Sequence, residues 1–246
     1  MKPRVAFFDF TGCEGCQLEV LNFNLEIVDL IGAVDIVEFR EASSDHSDEY
    51  DIAFIEGSQT TQVDVERIQK IREKAKILVA LGACSCTGGV NALKNRFSME
   101  ENLKVVYGES AHLYSTIPTK PTSAYVKVDV QIHGCPPNRN EVISLVKCLL
   151  TGKKFEQCHN PVCVECKLAE NICAFERGEF CLGPITRGGC NAVCVTAGRK
   201  CWGCRSLVDD PNVNSQKDIL KKYGLTVDDM LVQFRLFNGN LEVAKA

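Results

Sequence analysis

The residue type most able to do chemistry in this chain is cysteine, present 15 times in 246 residues. Eight of the cysteines fall between Cys163 and Cys204, with so few apolar residues among them that no ordinary hydrophobic core can fix the backbone there. Ligation to sulfur is the expected constraint. The spacings divide the stretch into Cys163, Cys166, Cys173 and Cys181, then Cys190, Cys194, Cys201 and Cys204, each set with a C-x-x-C pair at its outer end. Four thiolates around one centre satisfy either tetrahedral zinc or a cubane iron-sulfur cluster, since both are soft-ligand sites. Spacing alone leaves that choice open. A disulfide framework is disfavoured: the chain opens MKPRVAFFDF with no apolar export segment or twin-arginine signal, so an oxidising compartment is not indicated.

Three further cysteine motifs lie upstream, and the elements around them set where they stand. Arg4 to Phe10 is a short apolar run suited to a buried strand, and it stops at Thr11-Gly12-Cys13. Cys13-Glu14-Gly15-Cys16 then leads into Leu18, Leu21, Leu25, Val28, Leu30 and Ile31, whose three-and-four spacing predicts an amphipathic helix closed by Gly32. Val34 to Phe39 and Ile52 to Ile55 predict strands, and Val63 to Ala75 a charged helix with Val65, Ile68 and Ile71 on its apolar face. Ile77 to Leu81 is a strand that ends in Gly82-Ala83-Cys84-Ser85-Cys86-Thr87-Gly88-Gly89. Lys127 to Ile132 is another, ending in His133-Gly134-Cys135-Pro136-Pro137 before a helix over Glu141 to Leu150. Such alternation predicts an α/β fold, a parallel sheet with helices on both faces and ligand sites at the carboxyl ends of its strands. Cys13, Cys16, Cys84 and Cys135 are therefore expected to converge as a third set of four.

With 45% hydrophobic residues the chain can bury a full core and add a smaller unit. Its net charge of -4 disfavours a polyanion-binding surface, and no apolar run approaches the length of a membrane span, so neither nucleic acid nor membrane insertion is expected. Beyond Cys204, residues 206–216 read as a polar linker, followed by helices over Lys217 to Tyr223 and Val227 to Phe237. Thr226 with Asp229 would cap the second, and Leu231, Phe234 and Phe237 would pack inward. Gly12, Gly15, Gly88 and Gly89 match no phosphate-binding pattern. Cys148 reads as a small core residue, and Cys86 and Cys158 as packing beside the ligand motifs. His46, His112, His133 and His159 show no catalytic spacing.

Five separated motifs, in order, resemble one family. They are Cys13-x-x-Cys16 after the first strand, Gly82-x-Cys84 with Gly88-Gly89, Gly134-Cys135-Pro136-Pro137, Cys181-Leu182-Gly183-Pro184-Ile185-Thr186, and Cys201-x-Gly203-Cys204. The family is the small, electron-transferring subunit of nickel-iron hydrogenases, and the match runs from about residue 4 to residue 206. Phe54-Ile55-Glu56-Gly57-Ser58 and Pro161-Val162-Cys163-x-x-Cys166 look most like the cytosolic group 3 enzymes: the sulfhydrogenase delta subunit, with the F420-reducing hydrogenase gamma subunit and the heterodisulfide-reductase-linked enzyme close behind. Two departures from the periplasmic members agree. Their distal-cluster histidine falls on Cys163 here, and their export signal is missing. The cysteine-rich tail argues against the NAD-linked, complex I-like branch and against the 20 kDa complex I subunit itself.

The resemblance implies a flavodoxin-like domain (1–155), a small cysteine-rich iron-sulfur domain (156–206) and a helical tail (207–246). It also implies three 4Fe-4S clusters: a proximal one on Cys13, Cys16, Cys84 and Cys135, a medial one on Cys190, Cys194, Cys201 and Cys204, and a distal one on Cys163, Cys166, Cys173 and Cys181. In many periplasmic relatives a proline stands where Cys194 stands here, leaving a three-iron medial centre. Nothing in the chain resembles a nickel-binding motif, so the implied role is electron relay in the cytoplasm, beside a nickel-iron large subunit and iron-sulfur or flavin reductase subunits that are NAD(P)-linked. A complex I-like quinone module and a structural zinc protein are the competing readings. Glu56, at a strand end near the proximal set, would either join a proton path or cap the next turn.

Overall fold

The computed structural model describes residues 2–22 and 32–241, apart from the side chains of Val213 and Asp229. Its centre is a five-stranded parallel sheet in the order β2-β1-β3-β4-β5, made of β1 (Arg4–Asp9), β2 (Asp35–Phe39), β3 (Ile52–Glu56), β4 (Ile77–Leu81) and β5 (Val130–Ile132). This is the flavodoxin-like order. β3 is buried at every position and β4 at all but its first, as expected of strands covered on both faces.

Helices connect the strands: α1 (Gly15–Leu21), α2 (Gln62–Lys74), α3 (Gly82–Thr87), α4 (Met99–Tyr107) and α5 (Arg139–Thr151). The expected residues Leu25, Val28, Leu30 and Ile31 of the first helix lie outside the described residues. α2 starts at a capping box in which Thr61 accepts from the Asp64 amide while the Asp64 carboxylate accepts from the Thr61 amide. α4 starts at a second such box, Ser98 with Glu101, in a stretch where no element was expected. One face of the sheet packs Val5, Phe7, Phe54, Val79 and Leu81 against Val142, Leu145 and Val146 of α5, and Phe7 stacks between Phe39 and Phe54 at 4.4 and 4.7 Å between ring centroids. The other buries Ala6, Phe8, Ile55 and Leu78 under Ile68 and Ile71 of α2. Cys148 is half-buried and outside that core rather than within it, because α5 turns Leu145 and Val146 inward instead.

The remaining chain has little regular structure: α6 (Val162–Leu168), α7 (Val193–Thr196), α8 (Val213–Lys222) and α9 (Val227–Asn238). Its core joins the cysteine-rich stretch to the tail, with Val162, Phe175, Leu182 and Ile185 packed against Leu220, Met230 and Phe234. Phe234 is fully buried and Leu231 packs beside it, while Phe237 is half-buried. The end of the expected linker is helical from Val213, where the Asn212 side chain accepts from the Ser215 amide. The expected cap of α9 rests on the Asp229 side chain, which lies outside the described residues. α9 also reaches the first unit, for Thr87 Oγ1 donates to the Phe237 carbonyl at 2.7 Å. Among the described residues no helix is long and apolar enough to cross a membrane.

Candidate metal centres

Register explains why residues far apart in sequence meet. Asp9 pairs with Glu56, Glu56 with Leu81 and Leu81 with Ile132, so four strands end on one line and release their loops together. Cys13 and Cys16 follow β1, Cys84 follows β4 and Cys135 follows β5. The loops are bound to one another: the Ala83 amide donates to the Gly134 carbonyl at 2.7 Å, and the Cys135-Pro136 peptide is cis. Cys84 sits on α3 rather than on the expected loop, since the Gly88 amide closes a turn on its carbonyl.

Cys84 and Cys16 feel the thiols around them. Burial pushes Cys84 up to about 12, with Cys135 and Cys13 adding to the shift, and Cys16 is raised by burial, by Glu56 and by Cys84 and Cys135. Crowded, buried thiols of this kind ionise only against positive charge, which metal ligation supplies. Glycine makes room for them. Gly82 has φ +84, and a Cβ there would lie 2.3 Å from Cys16 Sγ, so any other residue is excluded by backbone and by space. Cys16 is buried while Cys13 and Cys135 are exposed, so one side of this set faces outward.

Glu56 is 2% exposed, and its two carboxylate oxygens accept from the amides of Cys16 at 3.1 Å and Gln17 at 3.0 Å. That is a cap on the start of α1, whose preceding residue Glu14 gives no side-chain cap. Burial raises the Glu56 carboxyl against those same hydrogen bonds.

With the strand-end thiols as the first set, the second (Cys190, Cys194, Cys201 and Cys204) and the third (Cys163, Cys166, Cys173 and Cys181) also gather. Burial pushes Cys163 up to about 12, followed by the influence of Cys181, Cys166 and Cys173, and Gly183 leaves space between Cys163 and Cys181. Cys204 is pushed up to about 11 by burial, and both Cys190 and Cys194 add to it. Cys190, Cys194, Cys201 and Cys204 line one cavity of about 570 Å³ together with Cys135 and Arg205. Cys201 stands between the second and third sets, its amide donating to Cys181 Sγ at 3.2 Å. Among the described residues no three or more His, Cys, Asp or Glu are drawn together as tightly as one metal ion would take them.

Two residues at these sites escaped the sequence reading. Glu165, inside Cys163-x-x-Cys166, accepts from the Gly189 amide at 2.6 Å and the Ala192 amide at 3.3 Å, bracing the loop that carries Cys190. Arg205, next to Cys204, is buried among backbone carbonyls. Charged residues beside cysteines carry no spacing signal, so only folding reveals them. Cys86 is buried, with Sγ 3.5 Å from the Ala80 carbonyl, and Cys158 lies 3.7 Å from the Asn160 carbonyl; neither joins a set.

Residues 13–149 match the family model described as NADH ubiquinone oxidoreductase, 20 Kd subunit. The delta subunit of sulfhydrogenase 2 of Pyrococcus furiosus is 35% identical over 221 residues, covering 89% of this chain and 92% of that protein. A chain of the NAD+-reducing [NiFe]-hydrogenase crystal structure in the H2-reduced state is 28% identical with a TM-score of 0.58, covering 63% of this chain and 95% of its own. The Ni-Fe-Se hydrogenase of Desulfomicrobium baculatum shares the fold at a TM-score of 0.56 and 17% identity, over 87% of this chain and 98% of its own.

Proposed function

This chain belongs to the NADH ubiquinone oxidoreductase 20 Kd subunit family, and within it to the hydrogenase small subunits, and on that footing we propose that it relays electrons through three 4Fe-4S clusters. It is a subunit of a hydrogenase, an oxidoreductase, with an electron-transfer role. In the proposal Cys13, Cys16, Cys84 and Cys135 hold the proximal cluster, Cys190, Cys194, Cys201 and Cys204 the medial, and Cys163, Cys166, Cys173 and Cys181 the distal. The observation that carries it is the convergence of the first four thiols from the ends of β1, β4 and β5. Each cubane, when bound, supplies one-electron exchange at its site.

The chain's own residues bind, orient and shield. Glu56 fixes the amide of Cys16, Glu165 holds the Cys190 loop, and the Gly183 and Cys201 amides donate toward Cys181 sulfur, a contact that favours the ligating thiolate. We place the nickel-iron large subunit over the exposed Cys13 and Cys135, and a flavin-containing, NAD(P)-linked reductase toward the distal set, in the cytoplasm. Glu56, at a strand end with its carboxylate on the Cys16 and Gln17 amides, belongs to the same proposal as a member of a proton path beside the proximal set. We divide the chain into the flavodoxin-like unit 1–155, the cysteine-rich unit 156–206 and the tail 207–246, whose Phe234 packs into the core of the cysteine-rich unit.

Purification of the native complex tests this reading. A nickel-containing large subunit should accompany the chain through successive columns, with hydrogen-dependent dye reduction in the same fractions. Isolation with a quinone-reducing, nickel-free assembly would overturn it.

A further inference from the structure

Arg205 follows Cys204 directly and is 2% exposed. Its guanidinium reaches three segments at once. Nε donates to the Gly188 carbonyl at 2.8 Å, Nη1 to the His133 carbonyl at 2.6 Å and Nη2 to Glu141 Oε1 at 2.7 Å. His133 stands two residues before Cys135, Gly188 two before Cys190, and Glu141 in the first turn of α5. One side chain thus ties the loop of the first cysteine set to the loop of the second. Asn138 makes a parallel tie, its Nδ2 donating to the Gly189 carbonyl at 2.7 Å.

The seat is built for this fork. Gly189 has φ +107, and a Cβ there would lie 2.5 Å from both Arg205 Nη2 and Glu141 Oε1, so only glycine lets the pair close. A guanidinium buried this far is costly unless paired, and Glu141 is its only carboxylate partner among the described ion pairs. Arg205 also lines the cavity of the second set. Packing alone calls for neither a planar fork nor a compensating acid.

We propose that Arg205 is a positioning residue for the two sites: its fork, seated by Glu141 and Gly189, fixes the Cys135 loop against the Cys190–Cys204 set, and the balance of its charge with that of Glu141 tunes the medial site. This rests on the cluster assignment above. Positive charge nearby favours the more negative, reduced form of a cluster and negative charge disfavours it, so the two members of the pair act with opposite sign.

The test uses the assembled complex carrying Arg205→Met, Arg205→Lys or Glu141→Gln, with iron and sulfide analysis and potentiometric titration followed by electron paramagnetic resonance. The medial potential should fall in Arg205→Met and rise in Glu141→Gln, with iron content kept in the latter. Arg205→Lys, which keeps charge and loses the fork, should hold the potential near wild type while changing the spin–spin splitting between the reduced proximal and medial centres. A merely structural Arg205 would shift both potentials the same way or neither. Shifts of one sign in Arg205→Met and Glu141→Gln, or an unchanged medial potential in an iron-replete Glu141→Gln, overturn the proposal. Wild-type protein lacking iron and sulfide sinks the cluster assignment itself, and the proposal with it.

Discussion

Replacing Glu56 by alanine removes the acceptor for two amides at once, those of Cys16 and Gln17, in a place where the carboxylate is 2% exposed and water has little access. A hydrogen bond to a charged group contributes about 1.5–3 kcal/mol, so the alanine variant should lose about 3–6 kcal/mol. For a domain of this size that corresponds to a fall in Tm of roughly 6–24 °C. Glu56→Gln keeps one carbonyl oxygen and can satisfy one amide, so its loss should be about half as large. Because Cys16 is the residue held, the alanine variant should also lose iron from the proximal site first. Thermal melts of the purified protein with iron analysis measure both effects. An alanine variant as stable as wild type, or a glutamine variant as damaged as the alanine one, would refute the capping account and leave the proton path as the only role for Glu56.

Cys135→Ser, at the surface end of the first set, should disturb the proximal site and cut hydrogen-dependent dye reduction; full dye reduction at full iron content would remove Cys135 from the ligand set. Cys194→Pro places proline in the first turn of α7, where proline is tolerated, so the protein should fold and show the resonance signal of an oxidised three-iron centre. A stoichiometric signal of that kind in wild type, or a variant that keeps all its iron without one, contradicts the assignment of Cys194. Hydrogen bonds from Arg187 and His159 hold the Asp209 carboxyl well below the usual carboxylate range. Its contribution to stability is therefore present above the ordinary value of 3.8 and is lost as pH falls through the lowered folded value. Asp209→Asn should flatten the acid limb of a stability–pH profile below about pH 4 and weaken the salt dependence there; an unchanged acid limb counts against the pairing.

The central sheet was legible because parallel strands covered on both faces must be continuously apolar: Ile77–Leu81 reads the same in the sequence and in the fold. β5 is shorter than the expected Lys127–Ile132 strand because the Asp129 carboxylate takes the Leu78 amide at 2.9 Å, in place of a ladder partner, and pairs with Arg72. The cysteine sets were legible as spacing, and the first of them as the ends of alternating strands. What spacing cannot carry is the support around them. Glu165 and Arg205 act on backbone groups 17 to 72 positions away, contacts that no local pattern encodes, whereas Glu56 could be read as a cap from its place at a strand end. α4 had its signature in Ser98 and Glu101, but none of its apolar residues is fully buried and Val105, Val106 and Tyr107 face solvent, so no burial pattern accompanied the cap.

The claim on which everything rests is that these thiols hold iron-sulfur cubanes rather than zinc. Anaerobic purification followed by metal and acid-labile sulfide analysis tests it directly. Three cubanes predict brown protein with roughly twelve iron and twelve sulfide per chain. Colourless protein with stoichiometric zinc and no sulfide would contradict the account.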